Sequence, residues 1–567
     1  MMIKNKTTLI LNDYIIGIVV AVVAYQINNY FGFIGLNPTD SFLIFGSGDR
    51  VLKGDLPFKD YWIVSGGPLI DIMQSFVFKI LGVSWSSFVI HASILNSIFS
   101  ISIFFYARLT KLSKKTSLFF AILSSFIMYP AAGTPQTDHH SIIIGSISLI
   151  FFIIFLKKKN YTPLFFFPII FLGCFFIKQV PAAYYIILIC LISLFYYLFE
   201  KQKEIIINLL LGSIIAFAVF FLILKINNIL VLDVYKQYVA LIIQGFNVRA
   251  DSYAKTLVFD NILKIKYIIF LLIPFVVIVA QNLKKIELRK KESFYLDIYL
   301  YTGLIVSSAL HESYTNNQSV TFGLLPIYSI IILSLIKENK SKILFYIFSV
   351  LSIIGVLRLI NENEVYLILL IIFPLIYFFG SKYNISLKKT SSLVVVYTLL
   401  IALLYFETIV RNRYWHDIVN PNWDNAVDAV QIDLKLKGLV WLTGESNTQK
   451  EILNIKNNLS YLKSLDENYI IITNYQIYNA ILDIQNFSPV RYWWNKLSYP
   501  SKGNKYRNEF DVFFQNKINR NNVKKIIVLS DINQENVDIN EFEWLKDCTL
   551  RSQKNEKIKI LNVITQC

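Results

Sequence analysis

Long apolar runs are the feature that most limits what this chain can fold into. They recur along most of the sequence, and several reach about 18 residues, the length that an α-helix needs to cross roughly 30 Å of hydrocarbon. Residues 14–33, 86–106 and 205–224 are examples. Only 16% of the 567 residues are charged, against roughly 25% in a soluble globular chain. The pattern predicts a polytopic α-helical membrane protein with about thirteen transmembrane helices.

The net charge of +17 is distributed as a topology signal. Lysine and arginine cluster in short loops between apolar runs, which is typical of the cytoplasmic loops of membrane proteins. These loops are residues 108–115, 157–159, 284–291, 337–342 and 382–389. The distribution argues against a nucleic-acid partner. Together with the basic start of the chain, it predicts a cytoplasmic N-terminus and a multi-pass protein of the cell (inner or plasma) membrane.

The character of the sequence changes near residue 411. Residues 1–410 hold the apolar runs, whereas residues 411–567 are more polar. Strand-length apolar runs lie at 469–473 and 524–530, and helical patterns cover 423–436 and 448–465. We therefore predict a transmembrane domain followed by a soluble α/β domain, which an odd number of spans places outside the cytoplasm. In an oxidising compartment Cys548 and Cys567 could form a disulfide, although two thiols alone leave this open.

The polar segment 38–68, between the first apolar run and the next, is the strongest candidate for chemistry. We interpret it as a loop that carries four aspartates. Asp40 follows the first span directly and could serve as a general base or a metal ligand; the alternative is a helix cap. Asp49 is a candidate helper, while Asp55 and Asp60 stand in a turn-forming context and suit a structural role.

Two further polar groups fall on the same predicted side of the membrane. Asp138 and His140, in the sequence Thr-Asp-His-His, share one side of an extended segment and could bind one ion; the alternative is a capped helix start. Lys178 and Gln179 form a turn between two apolar runs. A lysine there could bind the phosphate of a lipid or could extend to the interface.

Three weaker candidates complete the set. His311 and Arg249 are predicted on the same side and could contact an anionic substrate. Trp493, followed by a second tryptophan in the predicted soluble domain, could stack on a sugar ring. The more frequent role of such a residue is packing inside a domain or against a partner.

These motifs resemble the GT-C superfamily of integral membrane glycosyltransferases, which includes protein O-mannosyltransferases, aminoarabinose transferases and oligosaccharyltransferase catalytic subunits. The resemblance rests on Asp40, the sequence GDLPFKDYW at 54–62, the segment 137–140 and the Lys-Gln pair at 178–179. It implies a polyprenyl-phosphate sugar donor and transfer outside the cytoplasm. It also implies that Asp40 is the base, that Lys178 contacts the phosphate, and that Asp40, Asp138 and His140 share a divalent ion (Mg, Mn or Zn).

The sequence differs from members of this superfamily in two motifs. The two tryptophans at 493–494 are not followed by Asp-Tyr-Gly, as in oligosaccharyltransferases, and Asp40 is followed by Ser41 where many O-mannosyltransferases have Glu. The expected function is transfer to a glycan or lipid-linked acceptor. The alternatives are an oligosaccharyltransferase-like enzyme acting on protein, and a non-enzymatic transporter of lipid-linked saccharides. The transporter is disfavoured because the sequence shows no repeated halves.

Overall fold

The computed structural model describes residues 2–64, 66–241, 323–339, 387–411, 423–443, 447–494, 498–529, 539–555 and 558–567, with isolated positions at 296, 300 and 303–304. Its membrane part is helical. The described helices are α1 (Met2–Gly32), α2 (Pro38–Leu52), α3 (Pro68–Leu81), α4 (Trp85–Leu109), α5 (Lys114–Ile127), α6 (Thr137–Lys157), α7 (Phe167–Ile177), α8 (Gln179–Phe199), α9 (Lys203–Ile226), α10 (Val231–Tyr235), α11 (Leu325–Asn339) and α12 (Leu387–Tyr405).

Several of these helices are apolar enough to cross a bilayer. Within the described residues, Leu11–Gly32 of α1 and the whole of α4, α6 and α9 have the required length and composition, and α7 and α8 are shorter apolar helices. The chain is thus a polytopic helical membrane protein, as predicted. The predicted spans at 267–280, 343–357 and 366–379 lie outside the described residues, so the number thirteen remains a prediction.

The two ends of the helix bundle differ in chemistry. At one end, Asp13 of α1 pairs with Arg108 of α4 and with Lys114 of α5. At the other end, the indole N–H of Trp85 donates to the carbonyl oxygen of Gly32, 3.0 Å away. Helices α1 and α4 therefore run antiparallel. The basic loop after α4 and the polar segment after α1 lie at opposite ends, which agrees with the sides assigned from charge.

The polar segment after α1 is not a loop throughout, because residues 38–52 form helix α2. Asn37 caps it by accepting hydrogen bonds from the backbone N–H of Asp40 and of the residue before it, and Pro38 occupies the first helical position. The loop prediction was wrong because glycine and aspartate are weak helix formers. Glycine is needed at position 46 for a different reason: a Cβ there would lie 2.0 Å from the carbonyl oxygen of Gln476.

Helix α3 is amphipathic. The side of α3 that packs on the protein carries buried polar groups, including Asp71 and Gln74. Its outer side is apolar and exposed: Ile72, Phe76, Ile80 and Leu81. An apolar outer face on a helix too short to span is suited to the membrane interface.

The C-terminal region contains a four-stranded sheet of β3 (Tyr469–Ile472), β4 (Lys525–Leu529), β6 (Ile558–Val563) and β5 (Thr549–Asn555), in that order. β3 and β4 are parallel, and the other neighbours are antiparallel. Helix α13 (Thr448–Lys463) packs on one face of the sheet and α14 (Arg507–Arg520) on the other. Both faces are covered, which explains why the strand β3 is apolar at every position.

The predicted strands at 469–473 and 524–530 and the predicted helix at 448–465 are confirmed. The predicted helix at 423–436 was wrong: that stretch holds short 3₁₀ turns and β1 (Val427–Asp428), which pairs with β2 (Val440–Trp441). The side chains of Asp428 and Asp433 accept backbone hydrogen bonds two residues ahead, a local pattern that competes with a helix. The domain boundary at 410/411 remains a prediction.

Arg50 of α2 joins the membrane part to the C-terminal region. Its guanidinium pairs with Asp55 and donates to the carbonyl oxygens of Ser488 (2.7 Å) and Val490 (3.1 Å). It also lies 4.2 Å from the ring centroid of Tyr61. The side chain is 2% exposed, so this is a buried cation whose donors bind two separate segments, 55–60 and 488–490.

The structure resolves two sequence hypotheses about the C-terminal region, one on Cys548 and Cys567 and one on Trp493. Cys548 and Cys567 form a disulfide. Trp493 is fully buried, its indole N–H donates to the carbonyl oxygen of Ile471 (3.1 Å), and its ring packs against Phe514. Its packing role is confirmed, and the buried ring cannot stack on a sugar.

Candidate active site

Lys178 is the single extended residue between α7 and α8, with φ −157° and ψ 126°. Its side chain turns toward the start of α6. The ammonium nitrogen lies 3.1 Å from Oδ1 and 3.3 Å from Oδ2 of Asp138. The two side chains are 18% and 14% exposed, so the pair can still be reached from outside the protein. The sequence prediction that these two motifs lie on one side is confirmed by this contact.

The N-termini of α6 and α8 add partial positive charge at this point. Neither N-cap residue, Gln136 for α6 or Lys178 for α8, makes a side-chain capping hydrogen bond. The first N–H groups of both helices therefore have no side-chain partner from the cap, and each helix places the positive end of its dipole beside the Lys178–Asp138 pair. A cationic side chain next to two helix N-termini is an arrangement that favours an anion.

Asp40 is exposed on the first turn of α2. The next residue, Ser41, places its hydroxyl 3.4 Å from that of Thr134 in the segment that leads into α6. The start of α2 thus lies against the segment that leads into α6, four residues before Asp138. Asp40 also occupies a position where a carboxylate stabilises a helix N-terminus, so the helix-cap alternative and the catalytic role are compatible.

The segment before α3 covers the end of α7. A Cβ on Gly67 would lie 1.8 Å from the carbonyl oxygen of Phe176 and 2.3 Å from that of Ile177, so only glycine fits. Gly66 has φ +74°, and a Cβ there would meet the guanidinium of Arg491 at 2.6 Å. The polar segment, α7 and a C-terminal arginine therefore meet next to Lys178.

Arg491 forms a fully buried ion pair with Asp71 of α3. The hydroxyl of Tyr61 lies 3.5 Å from the same carboxylate. Burial raises the pKa of Asp71 to about 6, and Arg491 opposes part of that rise. This pair fixes α3 to the C-terminal region, next to the Gly66–Gly67 segment that covers the end of α7.

Gln179, Asp49, His311 and Arg249 are, with Lys178, the candidates for binding the substrate or its phosphate, and the first two have structural contacts. Gln179 is buried and donates to the carbonyl oxygen of Tyr238, 3.3 Å away. Asp49 is buried in α2 and pairs with Lys53 at 2.9 Å. It lies nine residues beyond Asp40, or about 13 Å along the helix, and burial raises its pKa. Both residues stabilise the fold around the site. His311 and Arg249 lie outside the described residues.

His140 does not face Asp138. The sequence 137–140 is the first turn of α6, not an extended segment, and residues two apart on a helix point about 200° apart. His140 is fully buried. Its Nδ1 contacts the Tyr129 hydroxyl at 2.5 Å and its Nε2 lies 3.1 Å from Nε2 of His91.

The predicted divalent ion does not fit these side chains. Both ring nitrogens of His140 already have protein partners, and the carboxylate of Asp138 is paired with Lys178. Among the described residues, no three His, Cys, Asp or Glu side chains form a group that could hold a metal ion.

Sequence reasoning missed His91 and Tyr129, which contact His140, Gln74, which contacts His91, and the Asp71–Arg491 pair. A signal for His91 was present, since an ionisable residue inside an apolar run is costly and generally functional or paired. The other residues carry no such signal. Their partners are distant in sequence, as for Asp71 and Arg491, 420 residues apart.

Comparisons with known proteins add one likeness. No protein-family model matches the chain, and no curated protein matches it. Among solved structures, the chain is similar to ArnT from Cupriavidus metallidurans bound to undecaprenyl phosphate, over 98% of each chain, with 10% sequence identity and a TM-score of 0.39.

Proposed function

We propose that this chain is an integral membrane glycosyltransferase that moves a sugar from a polyprenyl-phosphate-linked donor to a glycan or lipid-linked acceptor on the extracytoplasmic face. The observation that carries the proposal is the Lys178–Asp138 pair between the N-termini of α6 and α8. A positively polarised, partly exposed site at the end of membrane-crossing helices suits the phosphate of a lipid-linked donor.

Lys178 is the group that binds the phosphate. Its ammonium is held by Asp138, so it is already ordered before a donor arrives, and little rotamer freedom is lost on binding. A phosphate that approaches it also meets the N–H groups at the start of α8. Asp138 keeps the site close to neutral when no donor is bound.

In the proposed reaction, the acceptor hydroxyl attacks the anomeric carbon of the donor sugar. The bond between that carbon and the phosphate oxygen breaks, and the polyprenyl phosphate leaves with one more negative charge than it had in the donor. Lys178 stabilises this developing charge. The hydroxyl proton passes to the carboxylate of Asp40, which is exposed beside the same segment.

Two observations support an extracytoplasmic site. The basic residues Arg108 and Lys114 lie at the opposite end of the helices from Lys178, and basic loops face the cytoplasm. The disulfide between Cys548 and Cys567 belongs to an oxidising compartment. A lipid-linked or glycan acceptor is favoured over protein because Trp493 is buried in the core and because its tryptophan pair is not followed by the Asp-Tyr-Gly of oligosaccharyltransferases.

The test is transfer by purified protein in detergent or lipid vesicles. Radiolabelled undecaprenyl-phosphate sugars are supplied singly with an extract of envelope glycolipids and glycans. Asp40→Asn is expected to lower the rate by roughly a hundredfold or more, and Lys178→Gln by a similar factor. Matched controls are Asp466→Asn, an exposed aspartate of the C-terminal region, and Lys59→Gln, an exposed lysine of the polar segment. Undiminished transfer by Asp40→Asn would remove its assignment as base.

A further inference from the structure

A continuous chain of buried polar groups runs from α3 to the start of α6. Gln74 Oε1 lies 2.9 Å from His91 Nδ1, and His91 Nε2 lies 3.1 Å from His140 Nε2. His140 Nδ1 lies 2.5 Å from the hydroxyl of Tyr129, which in turn accepts the backbone N–H of Gln136 at 3.0 Å. Tyr129, His140 and Gln74 are fully buried, and His91 is 5% exposed.

The protons of this chain have one arrangement that gives every hydroxyl and ring nitrogen a partner. The Tyr129 hydroxyl accepts from a backbone N–H and donates its proton to Nδ1 of His140. A neutral imidazole then carries its proton on Nε2, so His140 donates to Nε2 of His91. His91 in turn carries its proton on Nδ1 and donates to Oε1 of Gln74.

The opposite donor-to-acceptor order along this chain of hydrogen bonds is less favourable. If His140 carried its proton on Nδ1, it could donate to the carbonyl oxygen of Gln136, 3.1 Å away. The hydroxyl proton of Tyr129 would then have no acceptor among its described contacts. The amide of Gln74 would also have to turn its nitrogen toward His91. Leaving a buried hydroxyl unpaired is costly, so the first direction is preferred.

The chain ends in amide groups, Gln136 at one end and Gln74 at the other. Amides do not pass protons on, so the chain does not conduct protons. Its effect is to hold the backbone of the turn before α6 in place. Tyr129 accepts backbone N–H groups from Ala132 and Gly133 on its carbonyl and from Gln136 on its hydroxyl, and it therefore closes the turn that leads to Asp138.

We propose that the Gln74–His91–His140–Tyr129 chain is a directional positioning device that holds the start of α6, and with it Asp138, against α4 and α3. His140 is a positioning residue and not a metal ligand. All four ring nitrogens of the two histidines are used inside the protein. The link to transfer rests on the proposed function, whereas the proton arrangement does not.

The arrangement is tested by solid-state NMR of the full chain in lipid bilayers, with isotope-labelled imidazole nitrogens. The chain has five histidines, which permits assignment through single His→Gln variants. We expect the proton of His140 on Nε2 and that of His91 on Nδ1. Tyr129→Phe should change the His140 signals. The matched control Tyr185→Phe removes a buried hydroxyl that bonds Ser146 on α6 and should leave both histidines unchanged.

Three outcomes would overturn this arrangement. One is either histidine in the opposite tautomer, another is a Tyr129→Phe spectrum identical to wild type, and the third is a shift of the His140 nitrogen signals when Zn²⁺ is added.

The positioning role is tested by the rate of sugar transfer. Tyr129→Phe should lower the rate about tenfold and Tyr185→Phe should stay within about twofold of wild type. An unchanged rate in Tyr129→Phe would overturn the positioning role. Absence of transfer in wild type would overturn the proposed function, and the NMR result would still stand.

Discussion

The ammonium of Lys178 and the carboxylate of Asp138, forty residues apart in the sequence, lie 3.1 Å from each other at the junction of three helices. The pair joins the end of α7, the start of α8 and the start of α6. It is partly exposed, so a phosphate can compete with the carboxylate for the lysine. This competition distinguishes the roles of the two residues.

Substitutions of the two partners should therefore change anion binding in opposite directions. Lys178→Gln should weaken the binding of undecaprenyl phosphate about tenfold, because the cation is lost. Asp138→Asn should tighten it several-fold, because removing the anion that competes for the lysine outweighs the loss of the ordering that Asp138 gives its side chain. Titration of the purified variants with undecaprenyl phosphate, followed by intrinsic fluorescence, measures both. Weaker binding in both variants would mean that Asp138 itself takes part in holding the ligand.

Much of this architecture could be predicted from local properties of the sequence. Span positions follow from hydropathy and length, and the shared side of Asp138 and Lys178 follows from charged loops. Helix α2 was missed because its glycines serve close contacts with distant segments, as Gly46 does with Gln476. Such contacts exist only in the folded chain.

Only part of the site could be predicted, because the rest depends on contacts that exist only in the folded chain. Charge and position identified Asp40, Asp138 and Lys178 one by one. The direction of a side chain depends on the secondary structure that carries it, and the helical start of α6 turned His140 inward to His91. An extended segment would have kept it beside Asp138, which is why the metal site was predicted.

Arg50 should be essential for attachment of the C-terminal region. Arg50→Met removes a buried cation, leaves Asp55 with Gln485 as its remaining side-chain donor, and takes a donor from three carbonyl oxygens, those of Asp60, Ser488 and Val490. The expected loss is about 3–5 kcal/mol of unfolding free energy, measured by thermal or denaturant unfolding in detergent. Lys236→Met is the matched control, because Lys236 also bridges to the C-terminal region, through the half-exposed Glu509. It should cost about 1 kcal/mol or less, and an equal loss in both variants would contradict a special role for Arg50.

Asp71 should make the stability of the protein depend on pH in a defined window. Its pKa is raised from 3.8 to about 6 by burial, so the folded state holds the proton more tightly than the unfolded state. Stability from this group is fully present below about pH 4 and is lost as pH rises to about 6. In unfolding measurements from pH 4 to 7, wild type should lose about 3 kcal/mol relative to Asp71→Asn. Parallel curves for the two proteins would contradict the raised pKa.

Gly67 should not tolerate a methyl group. In Gly67→Ala the new Cβ would overlap the carbonyl oxygens of Phe176 and Ile177, and backbone atoms cannot rotate away. The polar segment must move off the end of α7, next to Lys178. We expect a loss of about 1–3 kcal/mol and slower transfer. Gly173→Ala is the control, since its nearest neighbour, Leu69, lies at 3.6 Å. Equal behaviour of the two variants would show that the segment is not tightly seated there.

The disulfide between Cys548 and Cys567 gives a test of both stability and location. It closes a loop of 19 residues, for which chain entropy predicts about 3 kcal/mol of stabilisation. Reduction, or Cys548→Ala with Cys567→Ala, should lower the unfolding temperature of the C-terminal region. Alkylation of freshly isolated membranes without reductant, followed by mass spectrometry, should leave both thiols unmodified, because a region outside the cytoplasm is oxidised. Complete alkylation of both would place this region in a reducing compartment and would contradict the proposed orientation.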